Sequence, residues 1–363
     1  MPKEGLEYPG FESFLADRPN TTGWSLCVGA GISKPIFPDW SSLVQRLMAR
    51  LHTPAAAAKM ASSLLRTFSP DALIEAARQR AGFTDEEFGT LLSEELYADV
   101  RSLLLKPDFE LFCRVLFSVE PGAVTKPEWL AFLSIIRRHC QGSSGWPIAE
   151  LLSRLVDTAL APASILSFNA EPLLAALING LRFERYVDRG VPHPVTGELK
   201  RTIDLVTHSI SGRRADRIPY VFCHGLLSPP KPIKLAPSSA NATDKLVFSE
   251  TAYLELANSV FSWQSAVFLD ACSSRPVVFV GVSLSDPNMR RWLTWVHQNR
   301  LAELAAKYGF EGDSTTHYWI KKTPSDQAER DWLEAVVSHL GVRLIWIPSW
   351  DLSGMALAKL LGA

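Results

Sequence analysis

The chain has 363 residues, of which 47% are hydrophobic and 10% aromatic, a composition typical of a globular protein and not of a disordered one. Its 37 Lys and Arg residues nearly balance its 38 Asp and Glu residues, which argues against direct nucleic-acid binding because such binders carry an excess of cations to neutralise phosphates. No apolar run approaches the roughly 18 residues of a membrane-spanning helix, and the first twenty residues lack the apolar core of a signal peptide. We therefore expect a cytoplasmic protein with no membrane partner.

The five cysteines are widely spaced, and the sequence contains no Cys-x-x-Cys pair. A zinc site built from cysteine pairs is therefore not expected, nor is any other metal site. Their flanking residues are largely apolar, which favours buried structural thiols over reactive ones. The cysteines are Cys27, Cys113, Cys140, Cys223 and Cys272.

The first clear element is a short apolar run at 24–28 that stops at the Gly29-Ala30-Gly31 turn. Apolar runs bounded by glycine are typical of buried strands in a parallel sheet. From Ser41, apolar residues recur at helical spacing. The pattern predicts a strand, a glycine turn and a helix.

Residues 53–159 have a different sequence pattern, with apolar residues at helical spacing throughout and prolines between the segments. This pattern predicts an all-helical block of five or six helices.

Strand-like runs return after this block, alternating with helical patterns. Asp286-Pro287 is typical of a helix start, and we expect Ser325 to cap the helix that ends before Gly341. The proline-rich segment 229–243 predicts a surface loop. The runs lie at 164–168, 220–223, 277–280, 318–320 and 344–347.

Alternating strands and helices predict an α/β fold, a Rossmann-like parallel sheet with helices on both faces. The sheet domain would comprise residues 1–52 and 160–363, interrupted by the helical insertion at 53–159.

The segment Gly29-Ala30-Gly31-Ile32-Ser33 lies where such sheets bind nucleotide phosphates. It departs from the dinucleotide-binding motif because Lys34 occupies the third glycine position and no acidic residue follows about twenty positions later. No Gly-Lys-Ser/Thr follows either. Taken alone, the segment is equally compatible with a tight turn that needs small residues.

Three other polar segments follow predicted strands directly: Asn169, His224-Gly225 and Gly281-Val282-Ser283. The carboxyl ends of parallel strands are where ligands of open α/β sheets bind. We therefore expect these segments to meet the glycine turn in one site.

These motifs, in this order, resemble the sirtuin family: VGAGISKPIFPDW, the N-x-[DE] element Asn169-Ala170-Glu171, His224-Gly225 and GVSLSDPN at 281–288. The last segment and the Trp40–Val44 run look most like the prokaryotic sirtuin-like branch found in antiphage defence. The resemblance covers about 21–48 and 164–350 and leaves the helical block unmatched.

The resemblance implies a site for NAD⁺ as a substrate. The residues that would line its phosphates and ribose are Gly29, Ala30, Gly31 and Ser33, with Asp39 near the nicotinamide and Gly281 and Ser283 on the adenosine side. Asn169 and His224 match the family's catalytic pair. Asn169 would position water or the ribose, and His224 would contact ribose hydroxyls and act as general base.

Three departures separate the chain from sirtuin deacetylases. Trp40-Ser41 stands where they have Phe-Arg, Glu171 where Asp is common, and the zinc ribbon is missing. They favour hydrolysis of NAD⁺ to nicotinamide and ADP-ribose over peptide deacetylation. Two acids have structural interpretations: Glu171 as an acid at a helix N-terminus, and Asp286 as a helix cap and not a catalytic acid.

The resemblance further implies an antiphage effector that depletes NAD⁺ when triggered. An unregulated NADase would kill its host, so we expect homo-oligomer assembly or a separately encoded partner, such as a translocase-type ATPase or a prokaryotic Argonaute. The helical insertion is the expected assembly surface. Two alternatives stay open: a non-catalytic module that senses NAD⁺ or ADP-ribose, and a protein deacylase or ADP-ribosyltransferase.

Overall fold

The computed structural model describes residues 23–118, 124–140, 142–188, 202–208, 217–230, 233, 246–248, 251–252, 262–309 and 315–363. Within these residues, seven strands pair in parallel in one sheet. They are β1 (Ser25–Val28), β2 (Ser164–Ser167), β3 (Thr202–Val206), β4 (Arg217–Phe222), β5 (Val277–Val280), β6 (His317–Lys322) and β7 (Val342–Ile347).

Twelve α-helices are described around this sheet, six of them between β1 and β2 after the first helix. They are α1 (Trp40–Ala49), α2 (Pro54–Leu64), α3 (Pro70–Ala81), α4 (Asp85–Leu103), α5 (Lys106–Leu116), α6 (Lys126–His139), α7 (Trp146–Leu155), α8 (Leu173–Asp188), α9 (Trp263–Ser274), α10 (Pro287–Tyr308), α11 (Gln327–Ser338) and α12 (Ser353–Leu361). Short 3₁₀ helices span Ala30–Ser33 and Trp350–Leu352.

The strand order is β3-β4-β2-β1-β5-β6-β7, with β1 at the centre. After β1, the chain forms β2, β3 and β4 on one side of β1. It then crosses to the other side of β1 to form β5. The carboxyl ends of β1 and β5 therefore form the topological switch point, where open α/β sheets bind ligands.

Apolar side chains cover both faces of the sheet, as parallel strands require. Leu26 and Val28 of β1 lie in one apolar cluster, and Cys27 between them lies in the other. Helices α1–α8 and α12 contribute to the first cluster, and α9–α11 to the second. The predicted Rossmann-like α/β fold with helices on both faces is confirmed.

The helical block shares its core with the sheet. Trp129 of α6 is fully buried and stacks on Phe183 of α8, with ring centroids 5.4 Å apart and planes 12° apart. Most of its prolines lie in the first turn of a helix, where the missing N–H costs nothing. The block thus packs as part of one layer, against one face of the sheet.

Edge strand β3 was not predicted, although Thr202–Val206 alternates apolar and polar residues. Strand β4 begins earlier than predicted, at Arg217, and includes Pro219. Proline is tolerated there because pairing between β4 and β2 starts only at Tyr220. Pro219 therefore pairs with β3 only.

Two local predictions were wrong in part. Helix α11 is capped by Asp326, which accepts a hydrogen bond from the Ala328 amide, and not by Ser325. Of the predicted surface loop 229–243, Pro229 and Pro230 are buried. The rest of that loop, apart from residue 233, lies outside the described residues.

All five cysteines are free and buried, as predicted. Burial raises the pKa of the Cys27, Cys113, Cys140, Cys223 and Cys272 thiols, which keeps them protonated at neutral pH. In the part of the chain that the structure describes, no helix is both long and apolar enough to cross a membrane.

Replacing Trp129 tests whether the helical block and the sheet share one cooperative core. We expect Trp129→Ala to lower the free energy of unfolding by about 3–5 kcal/mol, because it empties a buried aromatic site. Trp332→Ala, at a side chain that is 72% exposed, should change it by less than about 0.5 kcal/mol. Urea unfolding followed by circular dichroism measures both, and a two-step transition in Trp129→Ala would contradict a shared core.

Candidate functional site

Four neighbouring strands end at the same level. Val28 of β1 pairs with Ser167 of β2 and with Val280 of β5, and Ser167 pairs with Phe222 of β4. The predicted site residues follow these positions by one to three residues, apart from the longer segment after β1. The register therefore brings them to one edge of the sheet.

A cleft of about 620 Å³ opens at this edge, within the range of roughly 300–1,000 Å³ typical of ligand sites. The predicted residues that line it are Gly29, Ala30, Gly31, Asp39, His224, Gly281 and Ser283. Ser33 and Asn169 instead line an adjoining chamber of about 30 Å³. Ala30, Asp39, Trp40 and Phe168 line both spaces.

The glycines allow the turns after β1 and β5 to touch. The Gly31 amide donates to the Gly281 carbonyl at 2.9 Å, and the Gly29 amide donates to the Val280 carbonyl at 3.3 Å. A Cβ on Gly29 or Gly31 would lie 2.8 Å from the Gly281 oxygen, and Gly281 has φ +68°. Two of the turn's amides are thus engaged within the protein, so a phosphate contact with these glycines stays a prediction.

The helical block secures this turn from its other side. Ser143 Oγ and the Gly145 amide both donate to the Ile32 carbonyl at 2.7 Å, and Ser144 Oγ donates to the Gly31 carbonyl at 2.5 Å. The carbonyls of the 3₁₀ helix therefore have partners in the segment that precedes α7. The predicted insertion contacts the site directly.

Asp39 is the N-cap of α1 and accepts a hydrogen bond from the Ser42 amide at 2.9 Å. Its other oxygen lies 2.5 Å from Lys34 Nζ. Partial burial acts to raise the pKa of Asp39, but hydrogen bonds from Lys34 and Ser42 outweigh it and lower the pKa. Asp39 is therefore an ionised carboxylate whose charge Lys34 balances.

His224 is 3% exposed and is enclosed by aromatic rings. Its ring centroid lies 4.7 Å from that of Phe168 and 5.9 Å from that of Trp40. Its Nε2 lies 3.4 Å from Asp286 Oδ2, while Asp286 Oδ1 caps α10 by accepting from the Asn288 amide at 2.8 Å. The cap was predicted but the pair was not, since nothing in the spacing links two residues that follow different strands.

Asn169 belongs to a buried chain of hydrogen bonds. Its Nδ2 donates to Ser33 Oγ at 3.1 Å, and Ser33 Oγ donates to Glu171 Oε1 at 2.5 Å. Asn169 Oδ1 is buried, and no hydrogen-bond partner for it is found among the described residues. A buried acceptor of this kind is available to a ligand or a water molecule.

Glu171 joins this chain to the start of α8. Its Oε2 accepts from the Leu173 amide at 2.6 Å, so its predicted place at a helix N-terminus is confirmed. Burial raises the pKa of Glu171 to about 7, although hydrogen bonds from Ser33, Leu173 and Asn169 act to lower it. The carboxyl is thus half-protonated near neutral pH.

Further cleft residues were not identified from the sequence. Lys34 and Lys321 line the cleft as cations, and Lys321 Nζ lies 4.4 Å from the centroid of the Trp319 ring. The helical block adds a wall at residues 65 and 68–71, where Phe68 is 51% exposed. Only the assembled fold brings these elements to the glycine turn.

A family model described as a SIR2-like domain matches residues 200–340. This region of the chain is similar to SIR2-like domains. The match spans β3 to α11 and includes His224, Gly281, Ser283 and Asp286, whereas the β1 turn and Asn169 lie outside it. No curated protein matches the chain. The match supports the sirtuin-like resemblance and suggests a function related to NAD⁺.

No group of three or more His, Cys, Asp or Glu side chains with a geometry suited to a metal ion occurs among the residues that the structure describes.

Gly281→Ala tests the contact between the two turns. A Cβ at this position would lie 2.6 Å from Ile32 Cγ2 and 2.7 Å from the Ile32 nitrogen. Gly309→Ala is the matched control, because Gly309 has a similar φ of +61° and nothing lies within 4 Å of the place that a Cβ would occupy there. We expect the control to lose about 1–2 kcal/mol of stability and Gly281→Ala to lose at least about 2 kcal/mol more. Equal losses in urea unfolding would contradict the contact.

Proposed function

We propose that this SIR2-like chain is an NAD⁺ glycohydrolase that cleaves the nicotinamide–ribose bond to give nicotinamide and ADP-ribose. The observation that carries the proposal is the position of Asn169 and His224 in two adjoining spaces. Asn169 lines the small chamber, His224 lines the dinucleotide-sized cleft, and Phe168 lines both.

The cleft suits a dinucleotide in size and charge. Lys34 and Lys321 supply cations for a pyrophosphate, and the hydroxyls of Ser283 and Ser285 line the same space. Trp350, which is partly exposed, adds flat apolar surface of the kind on which a base stacks. We place the pyrophosphate along the turns after β1 and β5, with adenosine on the Ser283 side.

The reaction needs few catalytic groups. Nicotinamide leaves as a neutral base from a cationic ring, so no acid is required to protonate it. The enzyme must hold the ribose, shelter an oxocarbenium-like centre and deliver water. Asn169 offers a buried, available acceptor for a ribose hydroxyl or that water.

We assign the role of general base to His224, oriented by Asp286. A base held by a carboxylate is a recurrent catalytic arrangement, because the carboxylate fixes the tautomer and stabilises the imidazolium that forms. The Nε2–Oδ2 distance of 3.4 Å is close to hydrogen-bond length. Apo sites are often slightly loose and tighten with substrate.

The size of the chamber supports hydrolysis as the outcome. Its volume of about 30 Å³ is enough for one or two water molecules, because a water needs roughly 10–15 Å³. A water held there would lie beside Asn169. The same small volume favours a second candidate, a sensor that binds NAD⁺ or ADP-ribose without cleaving it, because the chamber leaves little room for a nicotinamide ring.

We further propose that the activity serves antiphage defence in the cytoplasm, where it depletes NAD⁺ on a trigger. Its support is the resemblance of the segments at 40–44 and 281–288 to the prokaryotic defence branch. A homo-oligomer or a separately encoded translocase-type ATPase or Argonaute would supply the trigger. The helical block, which contacts the Gly31 turn, is the surface through which such a partner would act on the site.

Incubation of the purified chain with NAD⁺, with and without candidate activators and with and without an acetylated peptide, tests the proposal. We expect release of nicotinamide and ADP-ribose without peptide, reduced at least about 100-fold in His224→Ala and Asn169→Ala, and about tenfold in Asp286→Asn. His339→Ala, at an exposed histidine outside the cleft, is the matched control and should retain full activity.

Tight NAD⁺ binding without nicotinamide release under any trigger would overturn the hydrolase and favour the sensor. Release that depends on the acetylated peptide would favour the deacylase.

A further inference from the structure

The Ser33 hydroxyl is placed between two polar side chains but has a single proton to give. It is 2% exposed, and it donates that proton to Glu171 Oε1 at 2.5 Å. Its oxygen must then accept from its other neighbour, Asn169. This requirement turns the Nδ2 of Asn169 toward Ser33, at 3.1 Å, and leaves the buried Oδ1 without a hydrogen-bond partner among the described residues.

Ionised Glu171 therefore determines which atom of the Asn169 amide is available to the chamber. As a carboxylate, it accepts from Ser33, from the Leu173 amide and from the Asn169 side chain. In this state Asn169 presents an acceptor, the atom suited to a ribose hydroxyl or an attacking water.

Protonation of Glu171 reverses the direction of these hydrogen bonds. The new carboxyl O–H donates to Ser33 Oγ, and the Ser33 proton is released to point at Asn169. Asn169 must now accept this proton through Oδ1, so its amide rotates and presents Nδ2 to the chamber. A donor then occupies the place where the reaction needs an acceptor.

The two titratable groups that interact electrostatically with Glu171 do not change charge around neutral pH. Tyr97 of α4 and Tyr220 of β4 are the titratable groups that interact with it, and burial raises the pKa of both hydroxyls, which stay neutral. Asp39, on the same chamber, has a lowered pKa and stays ionised beside Lys34. Burial raises the pKa of Glu171 itself to about 7.

We infer that Glu171 is a positioning residue, which acts through Ser33 to orient the Asn169 amide for catalysis when it is ionised and disables it when it is protonated. The inference rests on the proposed function for the effect on rate, but the orientation of the amide is a property of the free protein. Activity would therefore rise with pH through neutrality.

Two measurements on the full chain test this inference. The first is NMR of asparagine-selectively ¹⁵N-labelled protein, in which the Asn169 amide signals are identified by their loss in Asn169→Asp. In the wild type these signals should shift between about pH 5.5 and about pH 8.5, with a midpoint near 7. In Glu171→Gln they should stay at their low-pH positions, because a glutamine amide donates to Ser33 as the protonated acid does.

The second measurement is the pH dependence of nicotinamide release. Glu171→Gln should lower kcat about 10- to 100-fold at high pH, with little change in KM, and lose the neutral inflection. His224 is present in both proteins, so the comparison isolates Glu171. Glu171→Asp keeps the charge and should recover most of the rate and the pH dependence. Ser33→Ala should abolish the dependence, and Glu110→Gln, at an exposed glutamate of α5, should behave as the wild type.

The outcomes are distinguishable. Asn169 signals that do not titrate, or that titrate equally in Glu171→Gln, overturn the inference whatever the activity. Titrating signals without nicotinamide release at any pH and under any trigger support the orientation by Glu171 and contradict the proposed hydrolase. A wild-type rate and pH profile in Glu171→Gln would also overturn the inference. Glu171→Gln keeps an oxygen for the Leu173 amide, so loss of the helix contact does not explain its effect.

Discussion

The contact between the turns after β1 and β5 is the constraint on which the site depends. Gly31 and Gly281 approach so closely that neither position has room for a side chain. The two turns lie on neighbouring strands, at the point where the sheet order reverses. This contact closes the floor of the cleft and fixes where the chain must turn toward Ser33 and Asp39. The positions of all the residues that line the cleft depend on this contact.

Two further layers hold the turn in place. On one side, Ser143, Ser144 and Gly145 hydrogen-bond the carbonyls of the 3₁₀ helix, so the helical block is coupled to the site and does not stand apart from it. On the other side, the Ser33–Asn169–Glu171 chain ties the turn to β2 and α8. A partner that moves the helical block would therefore act on the turn through three hydrogen-bonding residues. This is a physical route by which assembly would regulate the proposed hydrolysis.

The fold was largely predictable from the sequence because its central strands are short apolar runs that end in polar or glycine residues. The carboxyl-edge position of Asn169 and His224 followed from the same pattern. β3 was missed because an edge strand carries a weak apolar signal, and the start of β4 was missed because Pro219 pairs only with that edge.

The finer chemistry of the site was not predictable, because it depends on distances between segments far apart in the chain. Asp286 has an obvious local role as a cap, and only the fold shows that its second oxygen faces His224. Ser33 was expected to line the phosphates and ribose. Its place in the buried hydrogen-bond network follows from the 3₁₀ turn that carries it inward. In the sequence, Lys34 occupies the third glycine position of the dinucleotide-binding motif. In the structure, Lys34 lines the cleft and balances the charge of Asp39.

A crystal structure of the Asn169→Ala protein with NAD⁺ tests the central claim most directly, because the variant should bind the substrate without consuming it. We predict that the pyrophosphate lies over the Gly29–Gly31 and Gly281 turns and that the nicotinamide ribose lies between position 169 and His224. NAD⁺ bound elsewhere, for example in the arginine-rich cavity of about 790 Å³ between α6, α7 and α8, with the cleft empty, would contradict it.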